Sequence, residues 1–261
     1  MTAMTRPRLR SLALATVALL LAAAAGAADT PPGVDARADE VMRKMAAFLA
    51  GAKRFSVTAE ETYDLEVARA YRVALSNTRT LTVERPSRFV GDTTGDTSHR
   101  ASWYDGRTLT VLNKQKNAYA TLEMPGTIDA VLDKLAEDYE VVLPLSDFFY
   151  SDPYATLMGG VLYGKYLGLH QAEGVPCHHL TFGQDGLYWQ IWIDAGDKPL
   201  PRKLSLVYWE NPGVPRYEAA FKSWNLAPTS NTAMFQFKAP AGARKVEPLE
   251  LARMGLESLK R

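Results

Sequence analysis

The sequence predicts a mainly β protein: an antiparallel sheet of about eleven strands, wide enough to curl, with helices packed on one face. Three observations lead there. Long stretches alternate apolar and polar residues, short turn signals join them, and the middle of the chain switches to a helical period. YRVALSNTRTLTVERP shows the first most clearly. Tyr71, Val73, Leu75, Leu81 and Val83 share one face, while Arg72, Ser76, Thr78, Thr80 and Glu84 share the other. That is the pattern of an antiparallel strand with one wet face.

The chain opens on an export signal. Arg6, Arg8 and Arg10 precede an apolar run from Leu12 to Ala25, and small residues follow, with Ala25 and Ala27 placed for cleavage before Ala28. The run is shorter than the roughly 20 residues a spanning helix needs, and no cysteine lies near the cut to be acylated. The predicted organisation is therefore a signal peptide over 1–27, one domain over 28–247, and a tail over 248–261.

The elements of the domain follow in order. DARADEVMRKMAAFLAG is an amphipathic helix on Val41, Met42, Met45, Phe48 and Leu49, stopped by Gly51. SHRASWYDGRTLTVLN is a hairpin turning at Asp105-Gly106, and NAYATLE pairs behind it. The segment at about 125–160 is helical and supplies a lid. In its first part Ile128, Val131, Leu132, Leu135 and Tyr139 form a stripe behind a Thr127 cap; in its second Asp152 caps and Pro153 occupies the first helical position. GKYLGLHQAEG, VPCHHLTF, LYWQIWID, PRKLSLVYWE and VPRYEAAFKSWN are further strands, and EPLELARMGLESLKR is a terminal amphipathic helix.

Composition narrows the function. Loss of three arginines with the signal leaves 27 basic residues against 29 acidic ones, so there is no basic footprint for nucleic acid. The single cysteine excludes an internal disulfide. GVPCHHL places that cysteine beside two histidines, but strand alternation sends His178, Leu180 and Phe182 to one side and Cys177, His179 and Thr181 to the other. Cys177 and His179 make at most half of a zinc shell. His99 and His170 add no ligand spacing, and no G-x-S-x-G, glycine-rich phosphate loop or H-E-x-x-H is present. A Cys177–His179 hydrolase would lack an orienting group. The sequence thus predicts no catalytic residue, metal or cofactor. Glu60–Glu61 and Glu137–Asp138 read as solvated pairs. The aromatic residues Trp103, Tyr104, Tyr188, Trp189, Trp192, Tyr208 and Trp209 either fill a core between sheet and helices or line an apolar cavity.

TLTVERPSRFVGD, YDGRTLTVLNKQKNAYATLE and the closing FQFKAPAGARKV resemble the LolA-like periplasmic lipoprotein carriers. The helix running into a strand in MAAFLAGAKRFSVTAEETY matches as well, and the chain looks closest to a subgroup of predicted periplasmic proteins of unknown function. The resemblance implies an unclosed half-barrel whose concave side is apolar and covered by helices. In the carriers such a cavity holds the acyl chains of a lipoprotein. The resemblance puts the family's arginine at Arg85, tying lid to barrel, and its phenylalanine at Phe89, near the cavity mouth; without it, Arg85 reads as a surface residue before a turn proline. The lid segments TIDAVLDKLAEDYE and LSDFFYSDPYATLMGG do not align with the carriers, and the second half matches in strand pattern only.

The expected function is a periplasmic carrier, not lipid-anchored, that sequesters an acyl chain, lipid or lipoprotein and touches membrane surfaces transiently. The cavity residues expected besides Arg85 and Phe89 are Leu109, Val111, Leu132, Leu135, Phe148, Phe149, Trp189 and Ile191. The same shape also serves envelope-stress regulators, so a sensor with an envelope protein partner is the alternative.

Overall fold

The computed structural model describes residues 30–68, 71–96, 98–124, 126–139, 141, 143 and 145–251. The expected signal peptide over 1–27 lies outside the described residues, as does the tail beyond 251.

Asp35 starts the first helix, α1 (Ala36–Gly51). Its Oδ1 accepts from the Ala38 amide at 2.6 Å, and its Oδ2 accepts from the Tyr166 amide at 2.8 Å. One side chain thus satisfies an orphan helix donor and docks the helix on a later strand. Val41, Met42, Met45 and Leu49 are buried, as their spacing requires.

The strands are β1 (Arg54–Ala68), β2 (Tyr71–Glu84), β3 (Arg88–Gly95), β4 (His99–Tyr104), β5 (Thr108–Asn113) and β6 (Ala118–Glu123), then β7 (Tyr163–Ala172), β8 (Val175–Gln184), β9 (Leu187–Asp194), β10 (Pro201–Tyr208), β11 (Arg216–Asn225) and β12 (Arg244–Lys245). Between β6 and β7 lie α2 (Ile128–Tyr139), a 3₁₀ turn (Ser146–Phe148) and α3 (Pro153–Met158). The sheet runs β12-β6-β5-β4-β3-β2-β1-β11-β10-β9-β8-β7, and its two ends do not pair. Every pairing is antiparallel except that of β12 with β6. β12 exceeds the expected count because two residues carry no readable period.

The local signals act as their chemistry dictates. Gly106 takes a φ of +100°, while Asp105 Oδ1 accepts from the Arg107 and Thr108 amides. Thr127 Oγ1 caps α2 through the Ala130 amide at 3.2 Å, and Asp152 caps α3 through the Ala155 amide at 3.0 Å.

The helices divide the concave face. Over β1 and β7 to β11, the core is full: α1 and α3 bury Met42, Met45, Leu49 and Met158 in one cluster with Phe55, Leu180, Phe182, Ile191 and Phe221. Ring contacts knit it, with Phe182 on Trp189 at 4.3 Å and Phe148 edge-on to Phe221 at 5.5 Å. On the convex side Phe237 covers Trp103 at 5.1 Å and Tyr119 at 4.7 Å. The closing FQFKAPAG segment is therefore a cover for the opposite face.

A buried polar knot fixes α1 to α3. Asp39 accepts from Thr30 at 2.8 Å, from Arg43 Nε at 2.7 Å and from the Tyr154 hydroxyl, and Arg43 Nη2 donates to that hydroxyl at 2.8 Å. Burial pushes the Asp39 carboxyl up, but the hydrogen bonds from Tyr154, Arg43 and Thr30 outweigh it and leave it below the ordinary aspartate value. A depressed folded pKa means the stability is present above the unfolded value and lost as pH falls through the folded one. Asp39→Asn should cost about 1–3 kcal/mol near neutrality. Urea unfolding of both proteins should show that gap closing below about pH 4; a gap constant from pH 7 to pH 3 would reject the ionised role.

Candidate functional site

Registers across β2 to β6 align three rows on the concave face. The first is Val83, Phe89, Tyr104, Leu109 and Leu122; the second is Leu81, Gly91, Ser102, Val111 and Ala120; the third is Arg79, Thr93, Arg100, Asn113 and Ala118. Successive rows stand about 6.7 Å apart, two residues along a strand. The first row is bulky and apolar, the second is floored by small side chains, and the third is polar.

α2 lies over these rows and leaves a cavity of about 690 Å³, within the roughly 300–1,000 Å³ of small-molecule sites. Ile128, Leu132, Leu135 and Tyr139 of α2 form its roof, with Leu143 and Phe149 beside them. The hollow exists because Gly91, Ser102 and Ala120 give the roof little to rest on. A Cβ at Gly91 would already stand 3.0 Å from Ser102 Oγ and 3.3 Å from a Leu81 methyl. Residues 248–251 take up helical conformation where the tail was expected to begin. Pro248, Leu249 and Leu251 close one side of the cavity, and Leu251 packs on Ala118 and Ala120.

Of the residues proposed from sequence, Phe89, Leu109, Val111, Leu132, Leu135 and Phe149 border this cavity. Arg85 does not. It stands beneath the lid, where Nη1 donates to the Phe149 carbonyl at 2.6 Å and the guanidinium lies 5.7 Å from the Phe55 ring centre. Burial lowers its pKa, with Asp129 opposing. Phe148, Trp189 and Ile191 are corrections: they do not line the cavity but sit in the filled half, packed by Phe221, Phe182 and their neighbours. Alternation put Trp189 and Ile191 on the concave face correctly. Which helices cover that stretch of sheet is a long-range matter that alternation does not encode.

Glu61 is a second correction. Glu60 is solvated, but Glu61 is 2% exposed and grips Arg79 through two bonds, Nε to Oε1 at 2.5 Å and Nη2 to Oε2 at 3.1 Å. Adjacent strand residues cannot both face water on a sheet with one buried side. The Tyr217 hydroxyl lies buried by this pair, and burial pushes its ionisation up. Arg79, Arg100 and Asn113 were not singled out from the sequence, yet the signal was there: Arg79 shares parity with Leu81 and Val83, and Arg100 with Tyr104.

The Cys177 region holds no reactive arrangement. Its sulfur is fully buried and meets the carbonyls of Ala172 and Val175 at 3.9 and 3.5 Å. Burial pushes the thiol up to about 11. Strand parity does separate His178, hydrogen-bonded to the Tyr166 hydroxyl at 2.9 Å, from His179. His179 instead meets His170 nitrogen to nitrogen at 2.9 Å, binds Gln190 and stacks on Trp192 at 4.0 Å. Among the described residues no group of three or more His, Cys, Asp or Glu could hold a metal ion. No helix among them is long and apolar enough to cross a membrane.

An unclosed antiparallel sheet with an N-terminal helix, and a hollow roofed by a second helix, defines a half-barrel under a helical lid. Within that class the chain belongs to the DUF2092 family of predicted periplasmic proteins, whose profile matches residues 38–249. Similar solved structures include an uncharacterized conserved protein from Thermus thermophilus, with a TM-score of 0.48 and 9% identity over 81% of this chain and 99% of that one. The lipoprotein LppX of Mycobacterium tuberculosis aligns at 0.45 and 13%, over 75% and 98%. A LolA superfamily protein from Nitrosomonas europaea aligns at 0.36 and 11%, over 77% and 97%. At such similarity no function carries across to this chain. No curated protein matches the sequence.

Two tests address the site's chemistry. Arg79→Met strands a buried carboxylate and should cost about 3–5 kcal/mol in urea unfolding, with Glu61→Gln added to it restoring a large part; no recovery would mean the two side chains are not energetically coupled. Cys177 holds about one part in a thousand of thiolate at pH 8, so iodoacetamide should label it far more slowly in the folded protein than in urea. Equal rates would contradict its burial.

Proposed function

We propose that this protein is a periplasmic binding protein that shields an acyl chain in the cavity between α2 and strands β2 to β6, without covalent chemistry. The observation that carries the reading is the hollow itself. Its floor and roof are mostly aliphatic and aromatic, while the other half of the same concave face is covered by α1 and α3 with their side chains packed on it. A fold that can fill one half with its own side chains and leaves small residues under the other has room for an apolar guest. Burying a chain of about 14–16 carbons contributes on the order of 10 kcal/mol at ~0.8 kcal/mol per methylene, before ordering costs. The protonated, enclosed thiol at Cys177 supports binding over nucleophilic catalysis.

Native mass spectrometry of the exported protein, purified without detergent and then extracted with solvent, tests this reading. A bound acyl species is expected. Ser102→Phe places a ring over the small-residue row and should reduce lipid retention at least about tenfold while leaving the melting temperature no lower, since it fills space rather than removing contacts. A clean protein mass that takes up no added lipid would reject the reading. A protein partner recovered by crosslinking in that case would favour the envelope-sensor alternative.

A further inference from the structure

The third row gives the cavity a direction. At one end Phe89, Tyr104 and Leu109 are buried; at the other, about two row spacings away, Arg79, Thr93, Arg100 and Asn113 lie side by side across four strands. The two arginines differ in their electrostatic state. Arg79 is neutralised by Glu61, which holds it with two bonds. Arg100 has no such partner: among the described residues no carboxylate pairs with it. Glu247, the residue before the tail, also borders the cavity and is exposed, and it forms no ion pair with Arg100 among the described residues.

Arg100 borders the cavity with its side chain exposed to solvent, while the protein packed around it lowers its pKa. An arginine remains charged under these conditions. The fold therefore keeps an uncompensated guanidinium at the end of an apolar hollow, flanked by the buried Thr93 and Asn113. A planar fork of donors suits a carboxylate or phosphate oxygen pair, and Thr93, Asn113, Ser98 and Ser102 supply neutral polar atoms around it. A purely apolar guest would leave this fork of donors and the polar row beside it unused.

We infer that the guest is an amphiphile with an anionic head, a long-chain carboxylate or an acyl phosphate ester, whose tail lies over the Leu81 and Val83 rows and whose head is held by Arg100. This rests on the acyl-binding reading and adds the head-group chemistry to it.

The test is calorimetric titration of the full exported chain with three probes of equal chain length: palmitate, hexadecyl phosphate and 1-hexadecanol, each delivered from cyclodextrin. Palmitate or hexadecyl phosphate should bind about tenfold or more tighter than hexadecanol, the scale of one charge-assisted hydrogen bond. Whichever of the two is tighter identifies a fatty acid or a phospholipid-like source. In Arg100→Gln the ratio of anionic to neutral affinity should fall towards one. Lys165→Gln, which removes the same charge from strand β7 away from the cavity, should leave the ratio as it was. If hexadecanol binds as tightly as the anions, or if the ratio survives Arg100→Gln, the head-group inference is overturned while acyl binding stands. If none of the three binds, both fall.

Discussion

The constraint on which the structure depends is that an open sheet of this width has one apolar concave face and must keep it dry. A closed barrel would do so with its own side chains. Here β7 and β12 end the strand order without pairing with each other, and helices must do the covering. α1 and α3 do it on one half, with long side chains interleaved into the aromatic residues of β8, β9 and β11. α2 does it on the other half without filling the space beneath. The knot of Asp39, Arg43 and Tyr154 matters because it locks the filled half as a unit, so the hollow half rests on a rigid neighbour.

Polarity is organised by the same strand alternation. Because a strand faces the cavity only at every second residue, one substitution in that series changes a whole row. Arg79, Arg100 and Asn113 fall at the same level on β2, β4 and β5, which turns three separate polar positions into one polar end wall. The buried Glu61 belongs to this design: it takes up one arginine's charge and leaves the other's free. Replacing a buried ion pair with apolar residues is often neutral or favourable, so the pair is better understood as setting where charge sits than as a source of stability.

Much of this is legible in the sequence. The antiparallel class, the turn at Asp105-Gly106, the caps at Thr127 and Asp152 and the split of His178 from His179 follow from local rules, and the structure agrees with each. What local rules do not supply is the pairing of sheet regions with helices. Trp189 and Leu109 look alike in their strands, both apolar and inward; only the three-dimensional path of α1 and α2 decides that one is core and the other cavity wall. The Glu60–Glu61 reading fails for a different reason. Charge is not a sign of solvent where the period of two, applied to the same strand, already places one of the two residues inside.

The roof over the hollow is held differently from the cover over the core. α1 is docked by backbone as well as side chains, the Asp35 amide donating to the Gly164 carbonyl and the Gly164 amide to the Gly33 carbonyl, while Asp35 Oδ2 accepts from the Tyr166 amide. α2 meets the sheet through the Ile128 amide on the Pro86 carbonyl, and its other polar ties, Asp129 to Ser151 and Asp133 to Tyr150, run to the segment that follows it. The helix and that segment thus form one piece, anchored to the barrel by Arg85 on the Phe149 carbonyl and by the rings of Phe148 on Phe221 and Phe149 on Phe55. Elements with few buried contacts to the rest of a fold open at lower free energy than its core. α2 itself takes no part in the knot of Asp39, Arg43 and Tyr154, so displacing α2 alone would leave that knot intact. If the acyl-binding reading holds, separating a rigid filled half from the hollow half under α2 lets opening cost much less than unfolding.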